Sequence, residues 1–346
     1  MCNMAAYAGK GQAAPVLLRM LEKQEGLWGG HFTGISTIHE GKVHTLRVCG
    51  DVAELLRKTD AEHLPGQVGI AHSRSMGNIP LETWAHPFPV GDGEVAYCGN
   101  GVAGIFAEKQ NYNALAAELA GAGAEFLSAN EQPSPPMPVL PDGRTVHCSE
   151  VNAHLLYRAH VAGAMDLQSA LQQMFREVSS EITALALSSR EPEQVSALRF
   201  NQPLTWACTS DAMLLASSAM AFPDDILTPP AVVPACSTLV MTAGGISCRP
   251  MTEFGSLMHH DEGAYRVSVL LDELLTSGKS FTAVELSLAA RKLWPPEKAC
   301  CYTHLVYSYL RENLMNGNLV QLNETGKASL PGAVVPEWRF QKINKR

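Results

Sequence analysis

No apolar run in this chain approaches the ~20 residues that a membrane-spanning helix needs, so a transmembrane segment is not expected. Nor does it open with a basic stretch followed by a long apolar one, which argues against a secretory signal. Charge is sparse: Asp, Glu, Lys and Arg make up 17% of 346 residues against 46% apolar, a globular composition with ample material for a core. The nine cysteines include no Cys-x-x-Cys pair, and the neighbours Cys300 and Cys301 are poorly placed to bridge one another. Reduced thiols in a cytoplasmic protein are therefore expected. No His/Cys set has the spacing of zinc ligands, so neither a metal nor another cofactor is expected. No internal repeat is visible.

The length exceeds what one ordinary domain needs, which predicts two. Residues 262–346 carry eleven Lys or Arg against eight Asp or Glu, a balance of +3 that leaves −11 for the front of a chain with net charge −8. That shift places a boundary near 255–262, with domains at 2–255 and 262–330 and a C-terminal tail at 331–346. In the front part, Val16, Leu17, Met20 and Leu21 share one face of a helix over 14–24. Segments 30–38 and 42–48 read as strands joined by the turn at Glu40-Gly41. Segments 67–72 and 94–97 read as further strands, the last running into a Gly-rich turn at Gly99-Asn100-Gly101. Helices are expected over 149–162 and 167–179, after a Pro-rich loop. Strands in runs with helices in pairs suggest an α+β layered sandwich more than a doubly wound sheet.

The tail reads as three helices, 265–276, 282–293 and 298–316, then a turn at Asn316-Gly317-Asn318 into a strand over 319–322, which is the order of a winged helix. Around its third helix only Lys298 and Arg311 supply Lys or Arg charge, so nucleic acid is not the expected partner. Leu305, Val306, Tyr309 and Leu310 favour packing against the partner domain or another protein.

Cys2 sits where removal of Met1 would make it the first residue. Methionine is normally trimmed before a small residue, and an N-terminal cysteine carries thiol and α-amine on one framework. The amine, titrating near pH ~8, can act as the base that activates the thiol.

Four segments line up with Cys2: Trp28-Gly29-Gly30-His31-Phe32-Thr33-Gly34-Ile35, Gly69-Ile70-Ala71-His72-Ser73-Arg74, Ala85-His86-Pro87-Phe88 and Tyr97-Cys98-Gly99-Asn100-Gly101-Val102. In that order and spacing, over roughly residues 2–255, they resemble the class II glutamine amidotransferase domain, a branch of the N-terminal nucleophile hydrolases. The resemblance implies a four-layer αββα sandwich. It implies Cys2 as nucleophile toward the side-chain amide of glutamine or a γ-glutamyl derivative, through a thioester and with release of ammonia or an amine. Asn100, by its side-chain amide, and Gly101, by its backbone N–H, match the oxyanion donors; Arg74 matches the arginine that holds the substrate α-carboxylate; His86 matches a supporting pocket histidine. His31, His39, His44, His259 and His260 are left as structural or surface residues.

Some positions depart from the family pattern. An aspartate that binds the α-amine of glutamine belongs where His147-Cys148-Ser149-Glu150-Val151 stands, so Cys148 falls in its place, and Glu150 could substitute only if the helix turned it inward. Ser75-Met76-Gly77-Asn78 and Asn3-Met4 also differ from the usual residues. These departures point away from free glutamine and toward a γ-glutamyl amide whose α-amine is substituted. The family's fused acceptor domain is not evident, so a separate ammonia-accepting subunit or simple release is implied, and a homo-oligomer is compatible. The alternative is a catalytically altered, amide-sensing or regulatory module that acts through the winged-helix-like domain.

Overall fold

A computed structural model describes residues 2–74, 79–102, 111–257, 263–294, 302–326 and 335–343. Residues 75–78, His259, His260, Lys298, Cys300 and Cys301, all named above, lie outside the described residues.

The segment Asn3–Gly9 (β1) is buried along its whole length. Its side chains divide by parity, with Met4, Ala6 and Ala8 in one apolar cluster and Ala5 and Tyr7 in another, as the two-residue period of a strand requires. It lies at the centre of a seven-stranded antiparallel sheet with β2 (Phe32–His39), β3 (Lys42–Cys49), β4 (Val68–Arg74), β9 (Thr205–Cys208), β10 (Ala212–Ala216) and β11 (Ala231–Val232), in the order β11-β9-β10-β1-β4-β2-β3. A six-stranded sheet holds β5 (Phe88–Val90), β6 (Val95–Val102), β7 (Glu181–Ser188), β8 (Gln194–Arg199), β12 (Ser237–Thr242) and β13 (Gly245–Pro250), in the order β13-β12-β8-β7-β6-β5.

Three apolar clusters separate the layers. One, including Met4, Ile70, Leu185 and Leu239, lies between the sheets. A second packs α1 (Ala13–Glu22) and α2 (Val52–Lys58) on the outer face of the seven-stranded sheet. A third packs α3 (Tyr112–Gly121), α4 (Cys148–Tyr157) and α5 (Leu167–Glu177) on the outer face of the six-stranded one. The result is the αββα order. Helix starts follow local capping: Asp51, Asn111 and Asp166 each accept a backbone N–H three positions on.

Beyond residue 263, α6 (Ala264–Thr276), α7 (Ala283–Arg291) and α8 (Tyr302–Met315) accompany a separate sheet of β14 (Phe281–Thr282), β15 (Leu319–Thr325) and β16 (Pro336–Lys342), in the order β14-β16-β15. The stretch read as a tail thus supplies the middle strand of this sheet. Phe340, fully buried, anchors it. The unit is docked on the front of the chain, because its apolar cluster of Val267, Leu271, Val306 and Leu310 also takes in Leu27 and Ala219. Arg311, read from sequence as a cation of the third helix, is 8% exposed. Its guanidinium donates to the carbonyls of Ala219 (3.2 Å), Phe222 (3.1 Å) and Pro223 (3.2 Å). Among the described residues, no helix is long and apolar enough to cross a membrane.

Removing Arg311 leaves three carbonyls short of a donor. Arg311→Met is expected to lower unfolding free energy by about 2–3 kcal/mol in a denaturant titration. Lys10→Met, at a side chain 78% exposed, should stay within about 0.5 kcal/mol of wild type.

Candidate active site

Register brings the candidate residues to one edge. In the antiparallel pairing of β1 with β4, Asn3 stands opposite Ser73, and β2 places Phe32 opposite Arg74. The start of β1 and the end of β4 therefore meet, with Cys2 just before the first and Arg74 closing the second. By the alternation that turns Met4, Ala6 and Ala8 toward the other sheet, Cys2 continues the inward-facing series.

The same parity argument aims Asn100. In β6, Val95 and Tyr97 face the helices while Ala96 and Cys98 lie between the sheets, so Asn100 also points inward. The Cys2 nitrogen donates to Asn100 Oδ1 at 2.8 Å. Gly99, Asn100 and Gly101 are thus not the turn their sequence suggests; they are strand residues paired with Ala184, Thr183 and Ile182. Tertiary pairing has overridden the local preference of Asn-Gly. Gly101 takes φ +154°, and a Cβ there would lie 1.9 Å from the Glu181 carbonyl oxygen, so glycine is required. With Oδ1 engaged, the Asn100 Nδ2 group is buried and has no partner among the described residues. Such a donor is costly to leave unmet, and an oxygen brought by a ligand would satisfy it.

Residues without any motif of their own hold Cys2 from behind. The Ser217 hydroxyl reaches the Cys2 carbonyl oxygen (3.2 Å) and accepts from the Met4 N–H (2.9 Å), while Asn3 Nδ2 donates to the Gln24 carbonyl (2.8 Å). No motif marks Ser217 or Gln24, because their role depends on long-range pairing.

Arg74 is a cation with few partners. Its guanidinium lies over the rings of Phe32 (5.3 Å) and Trp84 (6.0 Å) and makes one long contact, 3.5 Å, to the Trp84 carbonyl. Burial lowers its pKa, and the nearby thiols of Cys2 and Cys148 act in the opposite direction. No carboxylate pairs with it among the described residues, so it is suited to a planar, bidentate anion.

His86 is 2% exposed and packs against the rings of His72 (4.1 Å), Phe88 (4.9 Å) and His147 (5.1 Å). Burial holds His86 and His147 well below the ordinary value of 6.5, and Arg74 and the neighbouring imidazoles push the same way. The His86 and His147 rings thus stand uncharged beside Arg74. His72 and His147 stood in the quoted segments without a role, and only the fold shows them clustered.

Cys148 opens α4 after the cap residue His147, whose Nδ1 accepts from the Ser149 N–H (3.1 Å). Burial pushes its thiol up, and Arg74 opposes this. Glu150 does not turn toward the site. It is fully buried and its carboxylate takes the N–H groups of Leu127 (2.8 Å) and Ser128 (2.9 Å) and the Ser128 hydroxyl (2.5 Å). The carboxylate thus braces the 127–128 turn from the start of α4. Among the described residues, no group of three His, Cys, Asp or Glu could hold a metal ion.

No protein-family model matches the chain. Curated relatives do. The chain is 30% identical over 224 residues to the glutamine–fructose-6-phosphate aminotransferase of Chlorobaculum tepidum, covering 63% of this chain and 32% of that protein. With its counterpart from Pyrococcus horikoshii it shares 27% over 224 residues, covering 64% and 33%. Over the matched stretch the likeness supports the resemblance to the class II glutamine amidotransferase domain drawn from the sequence. The chain spans about a third of the length of these relatives. Among solved structures, the glutamine phosphoribosylpyrophosphate amidotransferase of B. subtilis, complexed with ADP and GMP, superposes with TM-score 0.59 at 15% identity, covering 96% of this chain and 69% of that one. An allosteric regulatory enzyme of purine biosynthesis gives 0.57 at 14%, covering 96% and 68%. At that identity the superpositions speak to the amidotransferase fold alone.

The neutral imidazoles make the domain sensitive to acid. Unfolding frees His86 and His147 to protonate at their ordinary value, so below pH 6.5 the unfolded chain binds protons that the folded one refuses. Stability should hold above pH 6.5 and fall below it, by about 1.4 kcal/mol per pH unit for each such histidine. Denaturant titrations from pH 7 to about pH 5 should show this slope, reduced in His86→Phe; an equal slope in that variant would contradict the assignment.

Proposed function

We propose that this chain is an amidohydrolase of the class II glutamine amidotransferase type, with Cys2 made N-terminal by loss of Met1 and acting on the side-chain amide of glutamine or a γ-glutamyl derivative. The observation that carries the reading is the 2.8 Å contact between the Cys2 nitrogen and Asn100 Oδ1, which sets nucleophile, base and oxyanion donor in one frame. The α-amine takes the thiol proton as Sγ bonds to the amide carbon. The resulting oxyanion is held by Asn100 Nδ2 and the Gly101 N–H, where one such donor is typically worth a hundredfold or more in rate. The C–N bond then breaks, the amine returns the proton to the departing ammonia or amine, and water cleaves the γ-glutamyl thioester. Arg74 holds the α-carboxylate.

An α-ammonium group would meet, among the described residues, the Arg74 cation, the Cys148 thiol and the neutral imidazoles of His86 and His147. Glu150 is already committed. That environment favours an amide whose α-nitrogen carries no charge. The ammonia formed is passed to a separate subunit or released. We read residues 262–343 as a winged-helix-like unit that works through protein contacts, since α8 directs Arg311 and Leu310 into the chain itself.

Ammonia release should be faster from α-N-acetylglutamine than from glutamine, and should drop by at least about a hundredfold in Cys2→Ser. Cys148→Asp should raise turnover of free glutamine by about tenfold or more, the worth of one charge-assisted contact. Ordinary efficiency on glutamine with no action on the acetylated amide would overturn the substrate assignment, and an active Cys2→Ser would overturn the nucleophile.

A further inference from the structure

The segment 23–31 joins α1 to β2, and it is held from two sides. On the side of the site, Asn3 Nδ2 donates to the Gln24 carbonyl (2.8 Å), Gln24 Nε2 donates back to the Met4 carbonyl (3.3 Å), and the Gly30 N–H donates to Ser73 Oγ (2.8 Å). Asn3 and Ser73 are the register partners that adjoin Cys2 and Arg74. A Cβ at Gly29 would come within 2.6 Å of both their side chains, so the segment lies directly against them.

On the other side it meets the C-terminal unit. The Trp338 N–H donates to the Gly26 carbonyl (2.9 Å), and Trp28 Nε1 donates to the buried Tyr307 hydroxyl (2.5 Å). Leu27 belongs to that unit's apolar cluster, and a Cβ at Gly26 would lie 2.1 Å from the Trp338 indole. The segment is thus a wedge between the C-terminal unit and the first residues of β1. Gly26 and Gly29 keep it thin enough to touch both.

We infer that the C-terminal unit positions the nucleophile: Trp28 and Tyr307 are positioning residues that press the 24–30 segment against Asn3 and Ser73 and so fix where the Cys2 thiol stands. A displacement of about 1 Å in a reacting group can cost on the order of a hundredfold in rate, so a strut at this place acts on turnover more than on substrate affinity. The Trp28 indole and the Tyr307 hydroxyl touch no reacting atom; they act through Gln24, Asn3 and Ser73.

The test compares Tyr307→Phe and Trp28→Phe in the full chain, with Tyr265→Ala, 80% exposed on α6, as control. Two rates are read: amide hydrolysis, which rests on the function proposed above, and alkylation of Cys2 by iodoacetamide followed by peptide mass, which does not. Tyr307→Phe and Trp28→Phe should each lose roughly five- to tenfold in kcat and in alkylation rate with KM within about twofold, the double variant should be no worse than either single one, and Tyr265→Ala should match wild type. Should Trp28→Phe fail to fold, Tyr307→Phe, which removes one oxygen, decides the matter alone. A variant with lowered melting temperature but wild-type kcat and alkylation rate would overturn the inference, as would an effect confined to KM. Absence of hydrolysis in the wild type would sink the proposed activity, and the alkylation rates would still judge the strut.

Discussion

The hydrogen bond between the Cys2 nitrogen and Asn100 Oδ1 joins the two sheets at the site, and the rest of the arrangement depends on it. It forms because two strands obey the same alternation. β1 turns every second side chain into the space between the sheets, and so does β6; the residue that leads one and the asparagine near the end of the other face each other. Once Oδ1 is taken, the amide's donor end is fixed, and it is left buried without a partner. A preset donor of this kind costs stability in the resting protein, and on the proposed function would return it when an oxyanion develops.

The electrostatics around that bond are one-sided. Arg74 lies against aromatic faces with a single long contact of its own, and the nearby imidazoles of His86 and His147 are held neutral by burial. Glu150 looks from sequence like a compensating charge, but its carboxylate takes the main-chain N–H groups of Leu127 and Ser128 and the Ser128 hydroxyl. A hydrogen bond to a charged group is worth about 1.5–3 kcal/mol, so on the proposed function a site with an unmet cation and no free carboxylate among the described residues would discriminate strongly by the charge of its ligand.

Much of this was legible in the residues. The layered α+β order followed from runs of strands and paired helices, and the resemblance carried by Cys2, Arg74, His86 and Asn100-Gly101 put the site at one end of the chain. Other parts were hidden for identifiable reasons. β1 is a central strand buried on both faces, and Asn-Met-Ala-Ala-Tyr-Ala-Gly shows no alternation of polar and apolar residues to betray it. Asn100-Gly101 carries a turn signature that only sheet pairing overrides. β16 stands in what read as a tail because it inserts between β15, which precedes it in the chain, and β14, which lies before α7 and α8 and far from it in sequence. Ser217, Gln24 and the wedge at 24–30 matter through contacts that link distant segments, which no local pattern encodes.

The most direct measurement is the mass of the protein caught in mid-turnover by acid quenching. The account predicts a chain that begins at Cys2 and carries a γ-glutamyl adduct on its first residue, lost on alkaline treatment as a thioester would be. A chain that retains Met1 while turning over substrate, or an adduct on any other residue, would contradict it.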